Sequence, residues 1–159
     1  VEQQRTHDPL TGLLNRQGLR HWVASQSAEE PVALGMVDLD HFKQINDLHG
    51  HGMGDQVIRH LATLLQACGS EHCRAARLGG EEFVVVALGS GRGPDLRQML
   101  ERLRQQFADT APQPGATLSA GLALGSVGEF EATLREADAA LYRAKQAGRN
   151  RVEAAFSAI

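Results

Sequence analysis

Apolar positions follow two rhythms along the chain. Dense short runs at 32–39 (VALGMVDL), 73–78, 83–88 (FVVVAL) and 117–124 read as strands, and the unbroken ones read as buried on both faces. Between them, residues 55–67 set Val57, Ile58, Leu61, Leu64 and Leu65 on one face at helical spacing. Residues 95–107 carry the stripe Leu96, Met99, Leu100 and Leu103, and 130–146 predict a further helix. A short helix is expected over 18–26, a polar crossing over 40–54, a loop over 89–94 and a last strand over 150–154. Gly79-Gly80-Glu81-Glu82 separates two strand-like runs and predicts a tight hairpin. Strands and helices interleave around one sheet, so the expected fold class is α+β with helices on the sheet faces.

Composition narrows this picture. The 159 residues, 42% of them hydrophobic, suit one domain with a single core rather than two domains or a disordered chain. With 16 Lys+Arg against 19 Asp+Glu the formal charge is −3, so no basic excess points to a nucleic-acid partner. No apolar run approaches the roughly 20 residues of a membrane span, so no direct membrane contact is expected of this domain. Cys68 and Cys73 form no CxxC pair and have no histidine at zinc-site spacing, which suits a reducing, cytoplasmic setting. The chain opens on Val1 without a signal-peptide pattern. It is expected to be part of a longer, conceivably membrane-anchored protein: residues 1–5 the end of an upstream helix, 6–155 the domain, 156–159 a tail.

Four constellations carry candidate chemistry. Asp38-Leu39-Asp40 ends a buried strand, and residues two apart project from the same face, so paired carboxylates could meet a hard divalent cation. Solvated acids where a strand meets a loop are the bland alternative. Gly79-Gly80 permits a sharp turn and close ligand approach, while adjacent Glu81 and Glu82 repel unless a cation joins them. An ordinary exposed turn is the competing reading.

The third constellation is the stretch from Phe42 to Asp55, which combines Lys43, Asn46, a glycine-rich HGMG segment and Asp55. Backbone N–H groups at a helix start and a nearby lysine suit phosphate oxygens. A carboxylate can accept both the N1–H and N2–H of guanine, and an amide can donate to and accept from a purine edge. Asp55 as a helix-start acid is the alternative. The fourth is Lys145 with Arg149. Lys145 falls on the apolar stripe of its helix near Leu134 and Leu141, where a cation needs a partner or an anionic ligand unless it snorkels at the helix end. There is no GxxxxGK[ST] loop. Pro94 spoils the GxGxxG mimic at 89–94, and the seven histidines form no HExxH.

Taken together, these segments resemble the GGDEF family of diguanylate cyclases. Asp8-Pro9-Leu10-Thr11-Gly12-Leu13-Leu14-Asn15-Arg16 is similar to its opening DxLTGLxNR signature. The run from Asp38 to Asp47 with Gly50-His51 and Gly54-Asp55 resembles its nucleotide segment. Arg77-Leu78-Gly79-Gly80-Glu81-Glu82-Phe83 is the name-giving loop in GGEEF form, and the run from Ala137 to Lys145 with Gly148-Arg149-Asn150 resembles the closing motif.

The resemblance implies a central, mostly antiparallel, palm-like sheet related to nucleotidyl cyclases, and condensation of two GTP into cyclic di-GMP with loss of two pyrophosphates. It implies that Asp38, Glu81 and the Leu39 carbonyl hold Mg²⁺ or Mn²⁺, with Glu82 supporting a second ion and Glu81 helping to deprotonate the attacking hydroxyl. Asn46 and Asp55 would read guanine. The backbone of His41, Phe42 and Lys43, with the Lys43, Lys145 and Arg149 side chains, would hold the phosphates. Each domain presents one GTP, so the partner is a second GGDEF domain in a transient homodimer. A catalytically silent GTP-binding regulatory module is the alternative, and a palm-like adenylyl cyclase fits the guanine-edge complementarity poorly. The family's inhibitory product site is an RxxD motif, but Ser70 and Cys73 stand at its Arg and Asp positions, so no such site is expected here.

Overall fold

One of the apolar runs of the chain becomes the middle of the sheet. In the computed structural model, which describes residues 5–156, β1 (Pro31–Leu39) pairs on both sides, antiparallel to β3 (Glu82–Leu88) and to β4 (Leu118–Ser126). Next to β3 lies β2 (Cys73–Gly79), and the short β5 (Val152–Ala154) adds parallel to β4, giving the order β2-β3-β1-β4-β5. Burial on both faces is why β1 and β3 read as continuous apolar runs.

Alternation along β1 divides the core. Ala33, Val37 and Leu39 pack with Phe83, Val85, Leu118 and Leu122, under α3 (His51–Gln66) and α4 (Arg92–Thr110). Val32, Leu34 and Met36 pack with Val84, Val86 and Ala123, under α1 (Arg16–Ala24) and α5 (Phe130–Gln146). α5 can approach so closely because β4 offers Gly121: a Cβ there would lie 2.2 Å from the Leu141 nitrogen and 2.3 Å from the Ala137 oxygen. That approach carries the C-terminal end of α5 to the end of β1.

The 40–54 segment differs from its expected polar crossing. Phe42–His49 forms α2, and α3 begins at His51 rather than at residue 55, with Gly50 (φ 88°) breaking the two. α2 places Ile45 in the core with Phe42 packed beside it and leaves Leu48 exposed; at eight residues, it is too short to announce a helix. Gly52 and Gly54 lie inside α3, where glycine costs about 1 kcal/mol relative to Ala. Likewise α4 begins at Arg92, inside the expected 89–94 loop, and α1 runs two residues earlier than 18–26. The hairpin forms as expected, with Gly79 opposite Glu82 and a register shift between Arg77 and Gly79. Residues 1–4 and 157–159 lie outside the described residues, and with them most of the expected upstream helix end and tail. Phe156 packs against the α4 side of the core.

Candidate functional site

Four of the predicted site residues, Asp38, Glu81, Glu82 and Lys145, meet at one end of the sheet. Asp38, the penultimate residue of β1, is the cross-strand partner of Glu82 on one side and of Ser119 on the other. The Leu39 N–H donates to the Glu81 carbonyl at 3.2 Å, so the tip of the β2–β3 hairpin is tied to the end of β1. Three carboxylates therefore share one neighbourhood. From α5, Lys145 forms an ion pair with Asp38 Oδ2, which explains a lysine on an apolar stripe.

Asp38 is 4% exposed, and its Oδ1 is buried without a partner. Burial pushes its carboxyl up to about 6, and the negative charges of Glu81 and Glu82 add to that, against the pull of Lys145. Among the described residues no three acidic, histidine or cysteine side chains close into a finished metal cage. A magnesium site of one or two carboxylates completed by substrate phosphates needs no such cage. The orphaned Oδ1 and the hard-oxygen donor set of Asp38, Glu81 and Glu82 fit a divalent ion.

Asp40 does not join this set. Its carboxylate accepts hydrogen bonds from Ser119 Oγ at 2.7 Å, Thr117 Oγ1 at 2.8 Å and the Asn150 N–H at 3.0 Å. The expected pairing of Asp38 and Asp40 as cation ligands is thus corrected: three donors already occupy Asp40. Thr117 and Ser119, polar residues two apart at the start of an apolar run, were the signal for this.

Asn46 and Asp55 come from α2 and α3, which fold back at Gly50. The Asn46 Oδ1 is the other buried side-chain oxygen found without a partner among the described residues. Gly54 makes room for it: a Cβ there would fall 1.9 Å from Asn46 Oδ1 and 3.2 Å from the Phe42 ring. The chain enters α2 through His41 in the left-handed region (φ 55°), which leaves the first-turn N–H groups of α2, Phe42 and Lys43 among them, without helical acceptors. The Lys43 ammonium instead pairs with Asp47 at 2.9 Å on the exposed side of α2. Arg149 also has positive φ (64°), and its guanidinium makes no hydrogen bond or ion pair among the described residues.

Sequence reasoning missed a clamp behind the hairpin. Arg77 donates through Nε and Nη2 to the Gly80 carbonyl at 3.0 and 2.7 Å, and its Nη1 lies 3.2 Å from both Asp8 oxygens. Burial alone would raise the Asp8 carboxyl, but hydrogen bonds from Thr11 and Arg77 hold it below its ordinary range. The opening motif thereby fixes the glycine turn. At the product-site positions, Ser70 and Cys73 bond to each other through their backbones. Arg74 is spent on the Ser70 and Cys73 carbonyls and stacks on Trp22 at 5.1 Å. Burial pushes the Cys73 thiol up to about 11, so the thiol stays neutral at physiological pH and supplies no charge.

This topology, with its acids gathered at one end of a mostly antiparallel sheet, is that of a palm-like nucleotidyl cyclase domain. Residues 5–151 match the diguanylate cyclase GGDEF domain, and the chain belongs to that family. It is 41% identical to the diguanylate cyclase DgcP of Pseudomonas aeruginosa over 96% of this chain and 24% of that protein. It is 36% identical to DgcM of Escherichia coli over 98% of this chain and 40% of that protein. The chain thus spans well under half the length of these relatives. Among solved structures, the GGDEF domain of DgcB from Caulobacter crescentus in complex with c-di-GMP superposes with a TM-score of 0.86 at 36% identity, covering 96% of this chain and 94% of that one. The active GGEEF domain of a diguanylate cyclase from Vibrio cholerae superposes with a TM-score of 0.78 at 33% identity, covering 92% and 99%.

Proposed function

We propose that this domain condenses two GTP into cyclic di-GMP, releasing two pyrophosphates. One observation carries the reading. The two buried side-chain oxygens without partners among the described residues belong to Asp38 and Asn46, one assigned to metal and one to guanine. Unpaired buried polar atoms cost about 1–3 kcal/mol each, and a site for a charged nucleotide is where such a cost persists. The named cyclases among the relatives support the same reaction.

Asn46 and Asp55 take the guanine edge. The α2 N-terminus at His41, Phe42 and Lys43, with Lys145 and Arg149, takes the triphosphate, and Lys43 reaches it by leaving Asp47. Asp38, Glu81 and the Leu39 carbonyl would hold Mg²⁺ or Mn²⁺, with Glu82 available to a second ion; bound there, the metal lowers the pKa of the 3′-hydroxyl and offsets charge on the phosphoryl oxygens. Glu81, at the hairpin tip, accepts the 3′-hydroxyl proton. The 3′-oxygen of one GTP then bonds to the α-phosphorus of the other, whose pyrophosphate departs, and the reciprocal step closes the ring. One domain holds one GTP, so two copies must meet head to tail. A GTP-using enzyme of this kind works in the cytoplasm, and among the described residues no helix is long and apolar enough to cross a membrane.

The test is incubation with GTP and Mg²⁺ across a hundredfold range of protein concentration, followed by separation of nucleotides. Cyclic di-GMP with two pyrophosphates per product, and specific activity rising with concentration, are expected. GTP binding without pyrophosphate release would identify the silent regulatory module instead. Absence of GTP binding would overturn the site.

A further inference from the structure

Asp40 occupies a place in the fold that its three hydrogen bonds do not by themselves explain. It is 3% exposed, and its own N–H is held by the Thr117 carbonyl at 2.9 Å. The residue after it, His41, turns left-handed to start α2. Its carboxylate meanwhile reaches the turn that ends α5. There Gly148 N–H bonds to the Lys145 carbonyl and Arg149 N–H to the Ala144 carbonyl, and two consecutive non-glycine residues, Arg149 and Asn150, follow with φ of 64° and 51°. Left-handed non-glycine residues are strained and persist only where surrounding contacts hold them. Besides the Arg149 N–H bond to Ala144, the pair is held through the Asn150 N–H, shared between Asp40 Oδ2 at 3.0 Å and Ser119 Oγ at 3.1 Å. Arg104 steadies the same residue by donating to Asn150 Oδ1 at 2.9 Å.

We propose that Asp40 is a positioning residue for nucleotide binding: it locks the Gly148-Arg149-Asn150 turn, and so sets Arg149 beside Lys145 at the Asp38 end of the sheet. This rests on reading that end as the GTP site. Asp40 thereby couples the two phosphate-binding segments, α2 through its backbone and the α5 terminus through its side chain. It needs an acceptor towards Thr117 and Asn150, but at Ser119 a donor serves as well, because a serine hydroxyl can reverse its role. Asparagine can therefore replace it, whereas a metal ligand at this position would not tolerate the loss of charge.

The experiment compares Asp40→Ala, Asp40→Asn and Ser119→Ala. GTP affinity is measured by calorimetry in EDTA, kcat and KM with Mg²⁺, and backbone amide exchange of Asn150 in nucleotide-free protein. Asp40→Ala should raise the GTP Kd and KM by about tenfold, change kcat by less than about threefold, and speed Asn150 exchange by about tenfold or more. Asp40→Asn should stay within about threefold of the parent in all of these. Ser119→Ala should fall between them, and it carries the test should Asp40→Ala fail to fold. In a double-mutant cycle, Arg149→Ala should add little to the Kd of Asp40→Ala, since both act through the same guanidinium. Abolished turnover in Asp40→Asn with normal GTP affinity would make Asp40 a metal ligand and overturn the proposal. Additive losses with Arg149→Ala, or unchanged Asn150 exchange in Asp40→Ala, would overturn it too. If the parent protein itself bound no GTP, the GTP reading would fail, and the exchange arm would still report whether Asp40 holds the turn.

Discussion

Asp38 and Asp40 stand two residues apart at the same end of the sheet, and both are almost wholly buried. Asp40 receives three donors, whereas Asp38 has one cation on Oδ2, nothing on Oδ1 and two glutamates close by. A side chain that the fold needs is satisfied by the fold. A side chain that the fold leaves short, at a cost to stability, is where a ligand is proposed. The same contrast separates Asn46, whose Oδ1 is orphaned, from Asp8, which Thr11 and Arg77 saturate.

The largest expected effect follows from the short side of that contrast. If the proposed cation site is right, Asp38→Ala or Glu81→Ala should lower turnover by about a thousandfold while the circular dichroism spectrum stays native, because each removes a proposed cation ligand rather than core packing. Near-normal product formation by either folded variant would break the comparison at its centre.

Gly54→Ala should come next. Its Cβ would displace the Asn46 amide, so KM for GTP should rise by about ten- to a hundredfold and preference for GTP over ATP should shrink, with melting shifted much less. Unchanged nucleotide preference would show that Asn46 does not read the base.

A smaller effect is expected in pH-dependent stability. An unfolded Asp38 loses its proton near 3.8 and the folded one near 6, so across that window the folded state binds more protons and metal-free stability falls as pH rises. The loss should be about 2–3 kcal/mol, and Asp38→Asn should remove it and leave the metal-free protein at pH 8 no less stable than the parent. Urea titrations from pH 3.5 to 7.5 measure it; a slope of opposite sign would mean that Asp38 is not starved.

Smallest of all should be the response to product away from the Asp55 site. Arg74 and Arg77 are already spent, so cyclic di-GMP titrated calorimetrically into Asp55→Ala protein should give no tight binding. Strong heat that Arg74→Ala or Arg77→Ala abolishes would show that these arginines leave their present partners.

Much of this molecule was legible in its residues. The strand cores, the helix over 130–146, the glycine hairpin and the family signatures are local patterns, and local patterns survive in one dimension. A candidate site list can be drawn the same way, from donor types at motif spacing: Asp38, Glu81, Asn46, Asp55, Lys145 and Arg149 could all be proposed before any contact was known. What the chain alone could not decide was who answers whom. Whether Asp40 joins Asp38 or Thr117 and Ser119, 77 and 79 residues away, depends on β1–β4 register. Whether Gly54 loosens a loop or shelters Asn46 depends on α2 folding back on α3, and α2 itself, at eight residues, is too short to announce its helix. A carboxylate is chemically the same group at both positions; the donors that reach it across the sheet decide whether it holds the fold together or waits for a ligand.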